Sequence, residues 1–326
     1  MTEWQLRARR SRARRRLAVG LAAAVVLSLA LGACGSSSKS GSSSTSSSSA
    51  SGGPGSGKPP IVIGDKNFAE ENILGNLYAQ ALQAKGYKVT LVENVGSSEI
   101  IWKSLMAGHI DMYPEYTGTL LSAVAEQTKE PASAEAAYEE SRAFLAKHGY
   151  TMLNITPFYD SDALATTPQY AAAHHLTSIA DLKALGKSVT IGAPPEFATR
   201  FEGLKGLQQL YGVVPTFKPI AIELSYKALE SGQVDVQNVF TTDGQLLSGK
   251  FKVLTDPKHV FGFQNVAPIV KQSMLTEEGP GFAETLNRVS GLLTTSAIQQ
   301  MNKAVSIDKQ SPESVAKQFL AANGLS

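Results

Sequence analysis

The chain has 326 residues, 43% of them hydrophobic and 18% charged, with a single cysteine. That length allows about two domains, each with a core of its own, and one cysteine excludes a disulfide framework and any multi-cysteine metal site. Residues 1–33 hold seven of the 30 basic side chains and one of the 28 acidic ones, so the remainder carries 23 against 27, a balance of −4 that argues against nucleic acid as a partner.

In chain order, residues 7–16 form a basic run, Leu17 to Ala30 an apolar run, and Leu31-Gly32-Ala33-Cys34 a small-residue ending. A basic start, a short apolar stretch and small residues before a cut describe an export signal over 1–33. Its apolar run is too short for a bilayer span, which needs about 20 residues. The ending resembles a bacterial lipobox, and the only cysteine stands where acylation would need it. Residues 34–58 are dominated by Ser and Gly, which cannot offset their ordering entropy, and read as a flexible tether. Gly52 to Lys58 imitates a P-loop, but Pro59 stands where a magnesium-binding Ser or Thr is needed and no strand precedes it. The body is therefore expected outside the cytoplasm, lipid-anchored through Cys34 to the outer face of the bacterial cytoplasmic membrane and working without ATP.

From residue 61 the apolar spacing alternates between the two periods. Strands are expected at 61–64, 87–93, 110–113, 151–155, 164–166, 188–192, 215–220, 233–239 and 251–254. Helices are expected at 70–85, 98–107, 133–147, 178–185, 199–211, 224–231 and 242–248, and again from 280 to the end. The first helix places Ile73, Leu74, Leu77, Ala81 and Leu82 on one face. This alternation predicts an α/β fold with largely parallel sheets. One segment echoes another: Ser104-Leu-Met-Ala-Gly-His-Ile-Asp-Met112 against Ala228-Leu-Glu-Ser-Gly-Gln-Val-Asp-Val236. Each is a helix end, a capping glycine and a strand start, one copy for each lobe of a two-lobed body. Ligands of such sheets bind beyond the strand carboxyl ends, where Tyr113 to Gly118 and Phe240 to Asp243 would face each other.

Three stretches, Ile61 to Glu70, Gly96 to Ile100 and Asp111-Met-Tyr-Pro-Glu-Tyr-Thr-Gly-Thr119, resemble the substrate-binding proteins of quaternary-ammonium ABC importers, which take glycine betaine, choline or carnitine. Glu196-Phe-Ala-Thr-Arg200, Gly206 to Gly212, Val239 to Asp243 and Asn265 to Pro268 extend the resemblance over nearly all of 61–326. It implies a type II periplasmic-binding-protein fold, two α/β lobes with the ligand cleft between them, here 61–163 plus 268–326 and 164–267. It implies a monomer that captures a small quaternary-ammonium osmolyte and hands it to a membrane permease, with a separate ATPase subunit and no cofactor or metal. The alternatives are another cationic solute such as ergothioneine, or a lipid-anchored ligand sensor.

A quaternary ammonium has no N–H and is held by aromatic faces. Tyr116, in the Pro-Glu-Tyr-Thr-Gly marker, is the first candidate ring. The family often has tyrosine where Asp162 and Phe240 stand here, so either Asp162 supplies a charge in place of a ring, or the ligand differs and carries donors that this carboxylate accepts; Tyr159 or Phe158 would substitute for the missing ring. Asn67, Phe68 and Glu71 follow the first strand; the family usually has glutamine at the last of these. Arg200 suits a carboxylate or a structural salt bridge. Asp243 either orients its loop or contacts ligand, and Ser97 and Ser98 are helix caps or contacts. An enzyme is not expected: no metalloprotease or nucleophile-elbow motif occurs, and His174-His175 diverge by about 100° on a helix.

Overall fold

The protein is described by a computed structural model covering residues 53–129 and 131–326. The expected export signal, the expected lipidation site Cys34 and most of the expected tether lie outside the described residues. Residues 53–58, which composition places in the tether, form a turn docked on the body: Gly55 donates its amide to Lys85 (3.0 Å), and Lys58 donates to the Glu277 carbonyl (2.8 Å). Gly53 and Gly55 lie so close to Lys85 and Tyr87 that a β-carbon would collide with backbone, so here glycine permits packing rather than flexibility.

The elements are β1 (Ile61–Gly64), α1 (Ala69–Ala84), β2 (Val89–Val92), α2 (Ser98–Met106), β3 (Met112–Tyr116), α3 (Ala134–Ala146) and β4 (Tyr150–Met152). The chain continues through β5 (Asp162–Thr166), α4 (Pro168–Ala173), β6 (Thr190–Ala193), β7 (Thr216–Pro219), α5 (Ser225–Glu230), β8 (Val236–Phe240) and β9 (Lys252–Val253). It then returns as β10 (Val266–Lys271), α6 (Pro280–Leu292), α7 (Thr295–Ser306) and α8 (Pro312–Ala322). Among the described residues the strands form two five-stranded sheets, ordered β2-β1-β3-β10-β4 and β7-β6-β8-β5-β9. Each is mixed rather than largely parallel, because β10 runs against β3 and β4, and β5 against β8 and β9. The strand over Val266–Lys271 has no counterpart in the sequence reading. Its burial on nearly every residue removes the alternation that would have marked it.

The internal echo falls on equivalent places in the two sheets. Met112 pairs with Ile63, and Val236 with Ile191, both in parallel register. Gly108 and Gly232 end their helices at φ +66 and +68, a left-handed cap that glycine adopts without strain. Asp111 accepts from the Val62 amide (2.7 Å) and Asp235 from the Thr190 amide (2.8 Å). The repeated aspartate therefore satisfies a backbone donor at the start of the neighbouring strand in each lobe.

Helix α1 buries the face its spacing predicts: Ile73, Leu74, Leu77, Ala81 and Leu82 are inaccessible. It packs against α6 and α8, and each large apolar side chain contributes about 1.5–3 kcal/mol. A second core gathers Leu164, Ile179, Ile191 and Val236 under the other sheet. The expected helix over 199–211 is not continuous. Glu202 (ψ +37) and Gly203 (ψ −141) leave helical geometry and divide it into short irregular turns. Gly203 sits where a β-carbon would strike the Phe197 carbonyl, so close packing, not periodicity, decides this segment. Residues 179–184 and 244–248 are likewise 3₁₀ rather than α-helical.

Candidate functional site

The carboxyl ends of the parallel strands of both sheets converge on one cleft of about 610 Å³, part of it open to solvent. The first lobe contributes the segments after β1, β2 and β3; the second contributes those after β6 and β7 and the end of β8. This is the place that open α/β sheets reserve for ligands.

The marker after β3 builds the floor residue by residue. Tyr113 is buried in the core. Glu115 accepts from the Lys66 ammonium (2.6 Å) and from the Tyr116 amide (2.8 Å). Tyr116 turns its hydroxyl down to Glu70 (2.8 Å). Thr117 donates its hydroxyl to the Phe263 carbonyl (2.8 Å), and the Gly118 amide donates to the same carbonyl (2.9 Å). The strand end is thereby tied to the segment that returns from the second lobe.

Four rings line the cleft among the described residues: Phe68, Tyr116, Phe197 and Phe240. Phe68 stacks on Phe240 with centroids 5.4 Å apart and lies 6.2 Å from Tyr116. The Lys66 ammonium sits 4.2 Å from the Tyr116 centroid and 5.8 Å from that of Phe68. One cation–π position is thus filled by the protein itself. Lys66 is buried between Glu115 and Glu71, the latter 3.6 Å away, and Ser98 accepts a further bond from it (3.3 Å).

Asp162 opens β5 and accepts from Asn238 (2.7 Å). Burial pushes its pKa up to about 6, with Asn238 and the charge of Arg200 opposing. Arg200 binds Glu99 through both carboxylate oxygens, Nε at 2.9 Å and Nη2 at 2.8 Å. Burial works against the charged Glu99, yet the Arg200 hydrogen bonds and charge hold it at about 2.

Of the residues singled out in the sequence, Asn67, Phe68, Ser97, Ser98, Tyr116, Asp162, Arg200 and Phe240 line the cleft. Glu71 lies beneath it, fully buried and accepting from the Lys66 amide (3.1 Å). Asp243 accepts from Tyr226 (2.7 Å) and from the Phe240 amide (2.9 Å), which orients its loop. It faces a second cavity, behind the Phe68–Phe240 pair, shared with Glu70, Asp160 and Asn302. Tyr159 is 57% exposed and Phe158 is buried in the core, so neither ring reaches the cleft. Lys66, Phe197, Asp160 and Asn238 also line the cleft and were not among the residues singled out in the sequence. Phe197 could have been noticed, because it stands inside the Glu196–Arg200 stretch. Asp160 accepts from Thr241 (3.2 Å) and the Thr242 amide (3.1 Å), partners some 80 positions away.

Residues 59–322 match the family described as the substrate-binding domain of the ABC-type glycine betaine transport system. The chain belongs to that family. As such it is the substrate-binding component of an ABC importer, a class that works outside the cytoplasm with a membrane permease. Among its described residues no helix is long and apolar enough to cross a membrane. The glycine-betaine-binding protein of Pseudomonas aeruginosa is 33% identical over 275 residues, covering 81% of this chain and 88% of that one. The carnitine transport binding protein OpuCC of Listeria monocytogenes is 27% identical, covering 82% and 88%. The ergothioneine transport permease/ergothioneine binding protein EgtU of Helicobacter pylori is 26% identical, but only 48% of it is covered. Among solved structures, a glycine betaine/carnitine/choline ABC transporter superposes with a TM-score of 0.65 at 25% identity, covering 81% of this chain and 99% of that one. The fold of this family is the two-lobed periplasmic-binding type expected from the sequence.

Proposed function

We propose that the protein captures a quaternary-ammonium osmolyte of the glycine betaine, choline or carnitine type in this cleft and delivers it to the permease. The observation that carries the reading is the pairing of aromatic walls with carboxylates. Phe68, Phe197 and Phe240 line the same space as Asp162 and Glu196. Ring faces attract a diffuse cation by roughly 0.5–2 kcal/mol each, and carboxylates add charge without needing an N–H from the guest. The relatives that bind such solutes support it.

In this reading Asn67, Ser97 and Asn238 orient the polar end of the solute, and Asp162 replaces a ring by a charge. Closure brings the lobes together, and the permease reads the closed form. The protein is a carrier with no catalytic residue and acts as a monomer. Acylated Cys34 holds it at the membrane; a labelled fatty acid should be incorporated by the wild type and not by Cys34→Ser.

The test is calorimetric titration of the purified protein with glycine betaine, choline, carnitine and ergothioneine. Trp102 packs against Phe144 and Tyr150, with centroids 5.7 and 5.8 Å away, and does not line the cleft, so heat is the direct readout. Micromolar binding of at least one of the first three is expected, about 8 kcal/mol. Preference for ergothioneine would move the assignment to that solute. Turnover of any bound solute would contradict a carrier.

A further inference from the structure

Two cationic side chains line the cleft among the described residues, Lys66 and Arg200. Each already carries carboxylates of the protein. Lys66 holds Glu115 at 2.6 Å, with Glu71 at 3.6 Å. Arg200 holds both oxygens of Glu99, and Ser97 donates a third bond to that carboxylate (2.6 Å). This two-point grip is how a guanidinium takes a carboxylate from any source. The other charges bearing on Arg200 are Glu196 and Asp162, both negative and both lining the cleft.

We infer that Glu99 takes the place of a ligand carboxylate on Arg200, so that the cleft prefers a quaternary ammonium with an uncharged far end over one ending in a carboxylate. The inference rests on the quaternary-ammonium reading and refines it. A guest carboxylate that turns to Arg200 either displaces Glu99 from the Nε–Nη2 edge or settles on the remaining edge, in the field of Glu196 and Asp162. Displacement leaves Glu99 without its guanidinium in a half-buried place, and the second option sets like charges together. A hydroxyl end meets neither obstacle. The same contact holds the Glu99 carboxyl at about 2, against the effect of burial, so the pair stays charged at neutral pH.

Glu99 belongs to the first turn of α2 and Arg200 follows β6, so the pair also clasps one lobe to the other. Loss of the clasp would weaken every solute alike. The ratio of two affinities separates that effect from selectivity. Choline and glycine betaine share the trimethylammonium head and differ at the other end, a hydroxyl against a carboxylate.

The experiment is calorimetric titration of the purified protein with these two solutes. Wild type is expected to bind choline at least tenfold more tightly than glycine betaine. Glu99→Gln should move the ratio toward glycine betaine by at least tenfold, whatever happens to absolute affinity. In Glu99→Gln/Arg200→Gln the shift should vanish, since it acts through the freed guanidinium. A wild type that prefers glycine betaine, or a ratio within twofold of wild type in Glu99→Gln, overturns the inference and leaves the quaternary-ammonium reading standing. Absence of heat with both solutes, and with carnitine, overturns the reading and the inference together.

Discussion

Thr242 donates its hydroxyl to Glu70 at 2.6 Å, joining the loop after β8 to the first turn of α1 across the seam of the lobes. Asn302 (2.7 Å) and Tyr116 (2.8 Å) donate to the same carboxylate. Burial raises the pKa of Glu70 while these three donors oppose it. Glu70→Gln removes the charge and replaces one acceptor oxygen by an NH₂ group, so either the Tyr116 hydroxyl must turn round to accept or the Asn302 amide loses its acceptor, and the contact weakens in a dry place. The expected cost is about 1–3 kcal/mol, read as a lower urea midpoint with an unchanged slope. An unaltered midpoint would mean that this seam contributes nothing to the fold.

Tyr116 acts through both its edge and its face. Its hydroxyl binds a buried carboxylate, and its face meets the Lys66 ammonium. Tyr116→Ala should weaken solute binding more than tenfold, but the ring is only 4% exposed and its loss also costs about 3–5 kcal/mol of stability. Tyr116→Phe separates the two roles. It keeps the ring, so affinity should stay within about threefold of wild type, while stability falls by about 1.5–3 kcal/mol for the lost bond to a charged group. A tenfold loss of affinity in the Phe variant would place the hydroxyl, not the face, in the site.

Asp162 predicts a pH dependence of binding. Its pKa stands near 6 because burial disfavours the carboxylate; Glu196 adds to this, and Asn238, Arg200 and Lys66 oppose it. A raised folded-state pKa means that the fold retains a proton there. The contribution of Asp162 to stability is therefore least unfavourable below about pH 4 and worsens as pH rises to about 6. Binding has the opposite sign, because a cation selects the ionised form. Affinity should rise about tenfold from pH 5 to pH 7 and level off above. Asp162→Asn should flatten the curve. Titrations at several pH values check this, and a wild-type affinity that falls with rising pH would contradict it.

The lobes were legible because their signals are local. The face of α1 and the twin glycine–aspartate junctions at 108–111 and 232–235 are written in neighbouring residues. The cleft was legible only in part. Phe68, Tyr116 and Phe240 stand at strand ends and could be placed by topology. Lys66 could not, since a lysine after a strand reads as solvated until Glu115, 49 positions on, is known to bury it. Arg200 reads equally as a ligand contact or a salt bridge until Glu99 is seen on its fork. The irregular turns at 201–211 follow from backbone contacts with Phe197 and Phe201, which periodicity does not encode.

The glycine of the marker offers a stability test that leaves the charges alone. A β-carbon on Gly118 would lie 2.7 Å from Gln264 Nε2, 2.8 Å from the Phe263 carbonyl oxygen and 2.9 Å from Glu202 Oε1. The carbonyl is backbone and also accepts the Gly118 amide, so it cannot retreat without breaking the bond that fixes the strand end. Gly118→Ala should therefore cost about 1–3 kcal/mol, or roughly 2–4 °C of melting temperature for each kcal/mol at this size. It should also loosen the Gln264–Glu202 contact of 2.7 Å that links the crossing segment to the second lobe. Gly291, near the exposed end of α6, is the control: nothing lies within 4 Å of its β-carbon position. Gly291→Ala should gain about 0.5–1 kcal/mol from reduced chain entropy. Opposite signs for the two substitutions in one thermal melt series would locate the need for glycine in close approach at the marker; a neutral Gly118→Ala would show that the crossing segment yields.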